Sequence, residues 1–402
     1  MNILFAVHGY KPAYRLGGPI LSVSAMAEAL VRKGHRVTVF TTNSNLDQDL
    51  DVETDKPLNV DGVEVWYFRR EEPLKRHVPF LTYFSKSMGF LYCPGMKIAL
   101  HRILNTVDVI HTQMPFTYPT LIAAKEAVRH NIPLFYHQRG VFDPERLKFR
   151  SWKKRLYIRF FEKDLLKKAS CLISLTEAET DSYRALGVNT PCEVIPNGIH
   201  VDQYWQEIPD EWRAKLGIDP DAMVILFLGR LHPIKGAVRL VEAFLRIHKD
   251  FPTAVLVCAG PDEFKIQAQL GRNNAEGRII FPGMVSGDHK KALLARADLF
   301  CLPSDAEGFS IAVLEAMASR TAVLLTPGCH FDEVVSAGAG MVVPKDSDSI
   351  AIALSYLLSN RDRLRRMGNA ALDLVQREYN WDPLVDKLIS VYERCIRERK
   401  VL

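Results

Sequence analysis

The amino-acid sequence predicts two doubly wound α/β domains, each built on a parallel sheet, facing a central cleft. Short apolar runs of the length expected for buried parallel strands recur along the chain, as in "NILFAVH" (2–8) and "VILFLGR" (224–230). The order strand, loop, helix, strand occurs near the N-terminus and starts again at residue 224. Between the two halves lies "VIPNGIHVDQYWQEIPDEW", in which Pro196, Asn197, Gly198 and Pro209 are turn-formers.

In the first half, "NILFAVH" runs into the loop "GYKPAYRLGGP" and then into a helix expected from about Ser22 to Lys33. Ser22 is the expected N-cap, and Gly34 stands where a helix end favours a left-handed residue. "RVTVFTT" (36–42) is the next strand. The unit is therefore βαβ, which implies a parallel sheet with a right-handed crossover. In the second half "LHPIK" is a loop and 236–249 a helix, followed by strands "AVLVCAG" (254–260), "IIFPG" (279–283), "LFCLP" (299–303) and "AVLLT" (322–326). From Phe309 onward, "FSIAVLEAMA" reads as a buried helix. No short-period repeat accompanies this, so the repetition is one of architecture and not a solenoid. The closing "WDPLVDKLISVYERCI" places Trp381, Leu384, Val385, Leu388, Ile389, Tyr392 and Ile396 at helical spacing, an amphipathic helix that must bury that face.

Composition narrows the classes. The 402 residues, 48% hydrophobic and 25% charged, suit two globular cores better than one. Fifty-two basic residues against 47 acidic ones leave a net charge of +5, too mild to argue for nucleic acid. The seven cysteines are odd in number and never spaced as CxxC, which fits reduced thiols in a cytosolic protein. "MNILFAVHGY" has no basic n-region, and no uninterrupted apolar run reaches about 18 residues, so neither a signal peptide nor a membrane span is expected.

Ligands in open α/β sheets bind beyond the carboxyl ends of the strands. Arg230 stands at such an end and Lys235 just before the next helix. Two cations there suit phosphate oxygens, and a helix N-terminus adds N–H donors and a favourable dipole. The plainer reading is a pair of solvated loop cations. In "SDAEGFSIAVLEAMA" (304–318), Glu307 and Glu315 are eight residues apart, about 12 Å along a continuous helix. That is long for a carboxylate pair acting on one bond, whose partners stand about 5–9.5 Å apart. It suits an elongated ligand with one carboxylate near each end, each accepting from sugar hydroxyls. Gly308 lets the backbone approach a ligand, and the N–H groups of Gly308, Phe309 and Ser310 can meet a diphosphate. The alternative is an unrelated surface pair. Gly17-Gly18 is not GxGxxG, and the acidic residue of a dinucleotide fingerprint is missing, which disfavours a dinucleotide oxidoreductase.

Together, "FLGRLHPIKG", the Glu-x7-Glu of "EGFSIAVLEAMA", "IPNGI" and the N-terminal "GG" loop resemble the retaining nucleotide-sugar glycosyltransferases of family 4, with the GT-B fold. The likeness spans nearly the whole chain, and the motifs stand in the family's order. "RGVFDPERLKFRSWKKRLYIRFFEKDLLKKAS" is similar to members that build bacterial surface polysaccharides. The resemblance implies an acceptor-binding domain over 1–198, a donor-binding domain over 199–380, and a helix over 381–402 crossing back to the first domain. It implies that Arg230 and Lys235 bind the donor diphosphate and offset its charge as the bond breaks. Glu315 would hold the ribose hydroxyls and Glu307 would face the transferred sugar, beside the backbone of Gly308, Phe309 and Ser310. Gly18 would let the first loop approach phosphate and acceptor, and Gly283 and Val285 in "FPGMV" would pass the nucleobase through main-chain groups. There is one departure. Where many members carry a His directly before a Gly near the donor sugar, "FYHQRGVFDP" has Arg139 before Gly140 and His137 two residues earlier, and either is a candidate for that contact. His111 in "DVIHTQ" matches the first His of a similar motif whose partner position is Gln113, and a hydrogen-bonded structural role is expected for it.

The resemblance also implies a UDP- or GDP-linked donor, a saccharide or lipid-linked saccharide acceptor in cell-envelope glycan synthesis, and attack on the face the diphosphate leaves. No cofactor is expected. No Asp-x-Asp stands at a strand end, so no obligate metal is expected either, the cations taking its part. Residues 146–168 hold ten Lys or Arg against two acids, interleaved with Phe149, Trp152, Leu156, Tyr157, Phe160 and Phe161. As a helix this suits anionic lipid, at about 1 kcal/mol per nearby cation, with 75–97 lining the same surface. The alternative is aromatics packed on their own domain beneath solvated charges. The expected location is cytoplasmic, peripheral on the inner face of the membrane. Rivals that keep the fold are a sugar-nucleotide epimerase, a pyridoxal-phosphate phosphorylase and a non-catalytic nucleotide-sugar-binding protein.

Overall fold

Asn2–Val7 forms the first strand (β1), and from Leu4 onward its side chains have essentially no exposure, as expected of a strand covered on both faces. The structure, a computed structural model, describes residues 1–46, 48–71, 91–148, 151–204, 211–262, 264–270 and 275–401. It divides into two units, Met1–Asn197 with Trp381–Leu402, and Gly198–Asn380.

In the first unit β1 is followed by β2 (Arg36–Thr42), a short antiparallel ladder of β3 (Ser44–Asn45) and β4 (Gln48–Asp49), then β5 (Pro57–Val60), β6 (Val63–Phe68), β7 (Val109–Gln113), β8 (Leu134–His137), β9 (Cys171–Ser174) and β10 (Cys192–Val194). Eight of these form one sheet in the order β10-β9-β8-β7-β1-β2-β6-β5, parallel except for β5 at the edge. The order reverses at β1, which lies between β2 and β7. At the carboxyl ends there, Val7 stands opposite Gln113, and Gln113 opposite His137. A reversal of this kind leaves a crevice above the strand ends.

Helices cover both faces. Gly95–Ile103 and Tyr118–Arg129 lie over Leu4, Phe40, Ile110 and Leu134. Gly18–Arg32 and Trp381–Val401 lie over Phe5, Val39, Val109 and Phe135. The C-terminal helix buries Trp381, Val385, Leu388 and Tyr392, and Asp386 pairs with Lys33 at 2.8 Å.

Two expectations are corrected here. The first helix starts at Gly18 and not near Ser22. Pro19 sits in its first turn, where a fixed φ and a missing N–H cost nothing, and Gly17 (φ +90°) is the N-cap. Ser22 is inside the helix, its hydroxyl donating to the Pro19 carbonyl at 3.2 Å. Nor is 146–168 one helix. It comprises Pro144–Lys148, Ser151–Tyr157, a π-helical turn Ile158–Glu162, and Lys163–Lys168. The π turn brings Glu162, fully buried, to the Phe116 N–H (3.2 Å) and the Tyr136 hydroxyl. Tyr157 and Ile158 join the core while Trp152 (62% exposed), Leu156, Phe160 (69%) and Phe161 stay in solvent. Phe149, and the part of 75–97 up to residue 90, lie outside the described residues; Cys93 and Met96 are buried.

The second unit carries β11 (Met223–Leu228), β12 (Ala254–Ala259), β13 (Ile279–Gly283), β14 (Leu299–Leu302), β15 (Ala322–Leu325) and β16 (Gly340–Val342). Their order is β13-β12-β11-β14-β15-β16, all parallel, and it reverses between β11 and β14. The helix after β11 spans Ala237–Ile247, two residues short of the expected end, with His248 as its C-cap.

Candidate functional site

The second unit's reversal point is built from the loops after β11 and β14. Arg230 follows β11 and is exposed. Lys235 closes a 3-10 turn, Pro233–Lys235, and Gly236 turns the chain into the next helix with φ +75°. A Cβ on Gly236 would stand 2.0 Å from the Pro303 carbonyl oxygen, so only glycine lets these loops touch. Across that contact the Ile234 carbonyl accepts from the Asp305 N–H (2.7 Å) and the Ser304 hydroxyl (3.0 Å). Arg239 grips the same loop through the Pro303 carbonyl (2.8 Å) and both Asp305 oxygens (2.9 and 3.3 Å). The Glu307 N–H donates to Gly328 at 2.8 Å. So held, the Glu307 carboxylate receives Lys235 Nζ at 2.5 and 2.6 Å, with only 6% and 17% of the two side chains exposed.

Glu315 rises from the helix Ile311–Ala318, whose N-cap is Ser310. Because 307–310 are not helical, the 12 Å spacing of a continuous helix does not describe the pair of glutamates. Glu315 is 3% exposed. Its Oε1 accepts from the Tyr204 hydroxyl (2.9 Å) and Lys290 Nζ (2.6 Å), while Oε2 is buried without a hydrogen bond. Burial, then the Glu315 charge, pushes the Tyr204 phenol up, so it stays protonated and donates. Gly308 is buried, and the Phe309 ring packs on Phe331 and Tyr379 at 4.7 and 5.3 Å, fixing the backbone between the glutamates. Gly283 ends β13 with its carbonyl accepting from Gly260, and Val285 is half-buried beyond it.

In the first unit the polar residues gather where the sheet order reverses. Arg139, 4% exposed, donates to Gln113 (2.6 Å), Ser22 (2.9 Å) and Asn197 (2.9 Å), and its Nη2 has no partner. Burial lowers its guanidinium to about 9, which leaves it charged at neutral pH. His137 is buried with both ring nitrogens unpartnered, stacked on His111 at 5.7 Å. His111 Nδ1 meets the Tyr392 hydroxyl at 2.5 Å, the hydrogen-bonded role expected of it. Burial first, then the Arg139 charge, lowers His8 to about 4 and His111 to about 3, and holds His137 well below the usual imidazole range. One fixed cation is thus ringed by neutral imidazoles with unused polar atoms. Gly18 is the first residue of the helix that carries Ser22.

Tyr204, Lys290, Arg239 and Ser22 carry no motif of their own, and Asn197 falls in "IPNGI" only as a turn-former, with nothing to mark it as a partner of Arg139. Lys290 is one of two adjacent lysines in "GDHKKAL", and nothing in the spacing marks it as the partner of Glu315.

Two Rossmann-like units, each on a sheet whose strand order reverses, have the GT-B architecture of solved glycosyltransferases. Sucrose-phosphate synthase from Thermosynechococcus elongatus superposes with a TM-score of 0.75 at 19% identity, over 99% of each chain. Anabaena HepE, solved with UDP and glucose, gives 0.75 at 20% identity, over 98% of this chain and 100% of the other. Residues 17–198 match the glycosyl transferase 4-like domain and residues 209–373 the model of glycosyl transferases group 1, and the chain belongs to this family of glycosyltransferases. An uncharacterized glycosyltransferase of Methanocaldococcus jannaschii is 27% identical over 98% of each chain. The phosphatidyl-myo-inositol mannosyltransferase of Mycobacterium tuberculosis is 33% identical over 50% of this chain and 53% of its own length.

Proposed function

We propose that this glycosyltransferase moves a sugar from a UDP- or GDP-linked donor to a saccharide or lipid-linked saccharide, with retention at the anomeric carbon and without a metal, in cell-envelope glycan synthesis. The observation that carries the reading is Glu315: a buried carboxylate with one oxygen committed and one unbonded, on the helix that follows the strand-end loop of Glu307, the partner of Lys235. A ribose diol supplies the missing donor. HepE, with this fold, was solved with UDP and with UDP-glucose.

The roles follow from the chemistry. An ammonium has three N–H donors, and two directed at Glu307 leave one for a phosphate oxygen. As the sugar–phosphate bond breaks, negative charge grows on the leaving oxygen, and Arg230 and Lys235 offset it. The acceptor hydroxyl bonds to the anomeric carbon on the face being vacated, and its proton passes to the leaving phosphate. Gly308–Ser310 contribute backbone, and Gly283 and Val285 flank the base. In the first unit, the unused atoms of Arg139 and His137 receive sugar hydroxyls.

We further propose that the basic, aromatic surface of 146–168 contacts anionic membrane from the cytoplasmic side. Exposed Trp152 and Phe160 support this, as does a cavity of about 920 Å³ whose lining combines Phe142, Leu147 and Ile158 with Lys148, Arg155 and Arg159. Among the described residues no helix is long and apolar enough to cross a membrane.

The experiment incubates the protein with UDP- and GDP-sugars, chelator and candidate acceptors, reading nucleotide release and the product's anomeric configuration by NMR. Metal-free transfer with retention is expected, and Lys235→Ala should lower turnover by about 100-fold or more. An inverted product, or transfer only with added metal, would contradict the mechanism.

A further inference from the structure

Away from the strand ends, three side chains of the first unit converge on one point. Glu126 belongs to the helix Tyr118–Arg129, His130 is that helix's C-cap one turn later, and His101 comes from Gly95–Ile103 beside it. Glu126 is 4% exposed, and a carboxylate so buried requires a compensating cation. Its Oε2 lies 3.1 Å from His101 Nε2 and 3.4 Å from His130 Nε2, yet accepts a hydrogen bond from neither. The ring nitrogens stand close to the oxygen without being aimed at it.

That geometry has a specific meaning. Around a tetrahedral zinc ion with bonds of about 2.0–2.1 Å, neighbouring donor atoms are about 3.3–3.4 Å apart, and each lone pair points at the metal instead of at the next ligand. The 3.4 Å distance from Glu126 matches such an edge and the 3.1 Å one is slightly shorter, and the three ligand atoms all lie within 4.8 Å of one another. Imidazole nitrogens with a carboxylate oxygen are a donor set that zinc accepts. His101 and His130, at 45% and 42% side-chain exposure, leave the entry route open to solvent. We propose that His101, Glu126 and His130 bind one Zn²⁺, with water in the fourth position. The ion neutralises Glu126 and ties the two helices together, apart from the transfer chemistry.

The test titrates Zn²⁺ into the metal-stripped full chain by calorimetry and by competition with a chromophoric chelator, alongside thermal unfolding. The parent should bind one equivalent and unfold at a higher temperature with zinc. His101→Ala and His130→Ala, at exposed positions, should each weaken binding at least about tenfold, and the double variant should lose both the equivalent and the thermal shift. Equal zinc uptake by the double variant would place the ion elsewhere, for instance on cysteines, and overturn the proposal. No saturable uptake by the parent would overturn it too, leaving the two imidazoles as simple neighbours of the Glu126 carboxylate.

Discussion

Glu179 and the imidazoles around Arg139 titrate in opposite senses, which makes stability at mild acid pH readable. His8, His111 and His137 have folded values below the imidazole's ordinary 6.5, chiefly through burial, so the unfolded chain takes up protons first as pH falls. The stability they contribute is present above 6.5 and is lost as pH drops toward about 4. Glu179, raised by burial to about 7, works the other way: its contribution is present below the carboxylate's ordinary 4.5 and lost as pH rises through 7. Between pH 6 and 5 the three imidazoles outweigh Glu179 and Glu162, whose carboxyl burial also raises, so stability should fall by on the order of 1 kcal/mol per pH unit. Urea midpoints across that interval check this, and a flat profile would mean that these imidazoles are solvated in the folded chain. At this scale the sequence is informative where chemistry is local. Arg230, Lys235, Glu307 and Glu315 fall within short motifs at strand ends. The partners that set their state do not: Tyr204 is 111 residues from Glu315, and Arg239 is 66 from Asp305. Only the folded sheet brings such segments together.

Among elements, the C-terminal helix shows what periodicity does and does not tell. Spacing marks its apolar face from Trp381 to Ile396, yet not that Tyr392 reaches His111 and stacks edge-on against Phe135 at 4.6 Å. The ring should therefore matter more than the hydroxyl. Tyr392→Ala is expected to cost about 3–5 kcal/mol, whereas Tyr392→Phe, losing one hydrogen bond, should cost about 1 kcal/mol. Chemical denaturation compares them, and equal losses would mean that the hydroxyl, not the ring, holds this helix in place. The first helix teaches the converse. Serine is a common cap, which favours Ser22 on sequence, but Pro19 with Gly17 before it sets the start four residues earlier. In 146–168, the buried carboxylate of Glu162 breaks a pattern that amphipathic spacing alone would continue.

For the whole molecule, two repeats of strand, loop, helix and strand are enough to predict two parallel sheets. Strand order is not legible, since long-range pairing such as β1 with β7 leaves no local mark. Charge is also a whole-molecule property: +5 overall conceals the ten cations of 146–168. Reversing Lys153, Lys154 and Arg155 to Glu should abolish sedimentation with anionic vesicles, by about 1 kcal/mol for each cation removed and more for reversal. Unchanged sedimentation would contradict membrane contact through this surface.

The measurement that bears most directly on the central claim is calorimetric titration of UDP and GDP into the chelator-treated protein, beside Lys235→Ala and Glu315→Gln variants of confirmed fold. One nucleotide should bind the parent, with affinity lowered about tenfold or more in Glu315→Gln through loss of a charged hydrogen-bond acceptor, and lowered further in Lys235→Ala. A folded parent that binds neither nucleotide, or variants that bind as tightly as the parent, would contradict a nucleotide-sugar site at these strand ends.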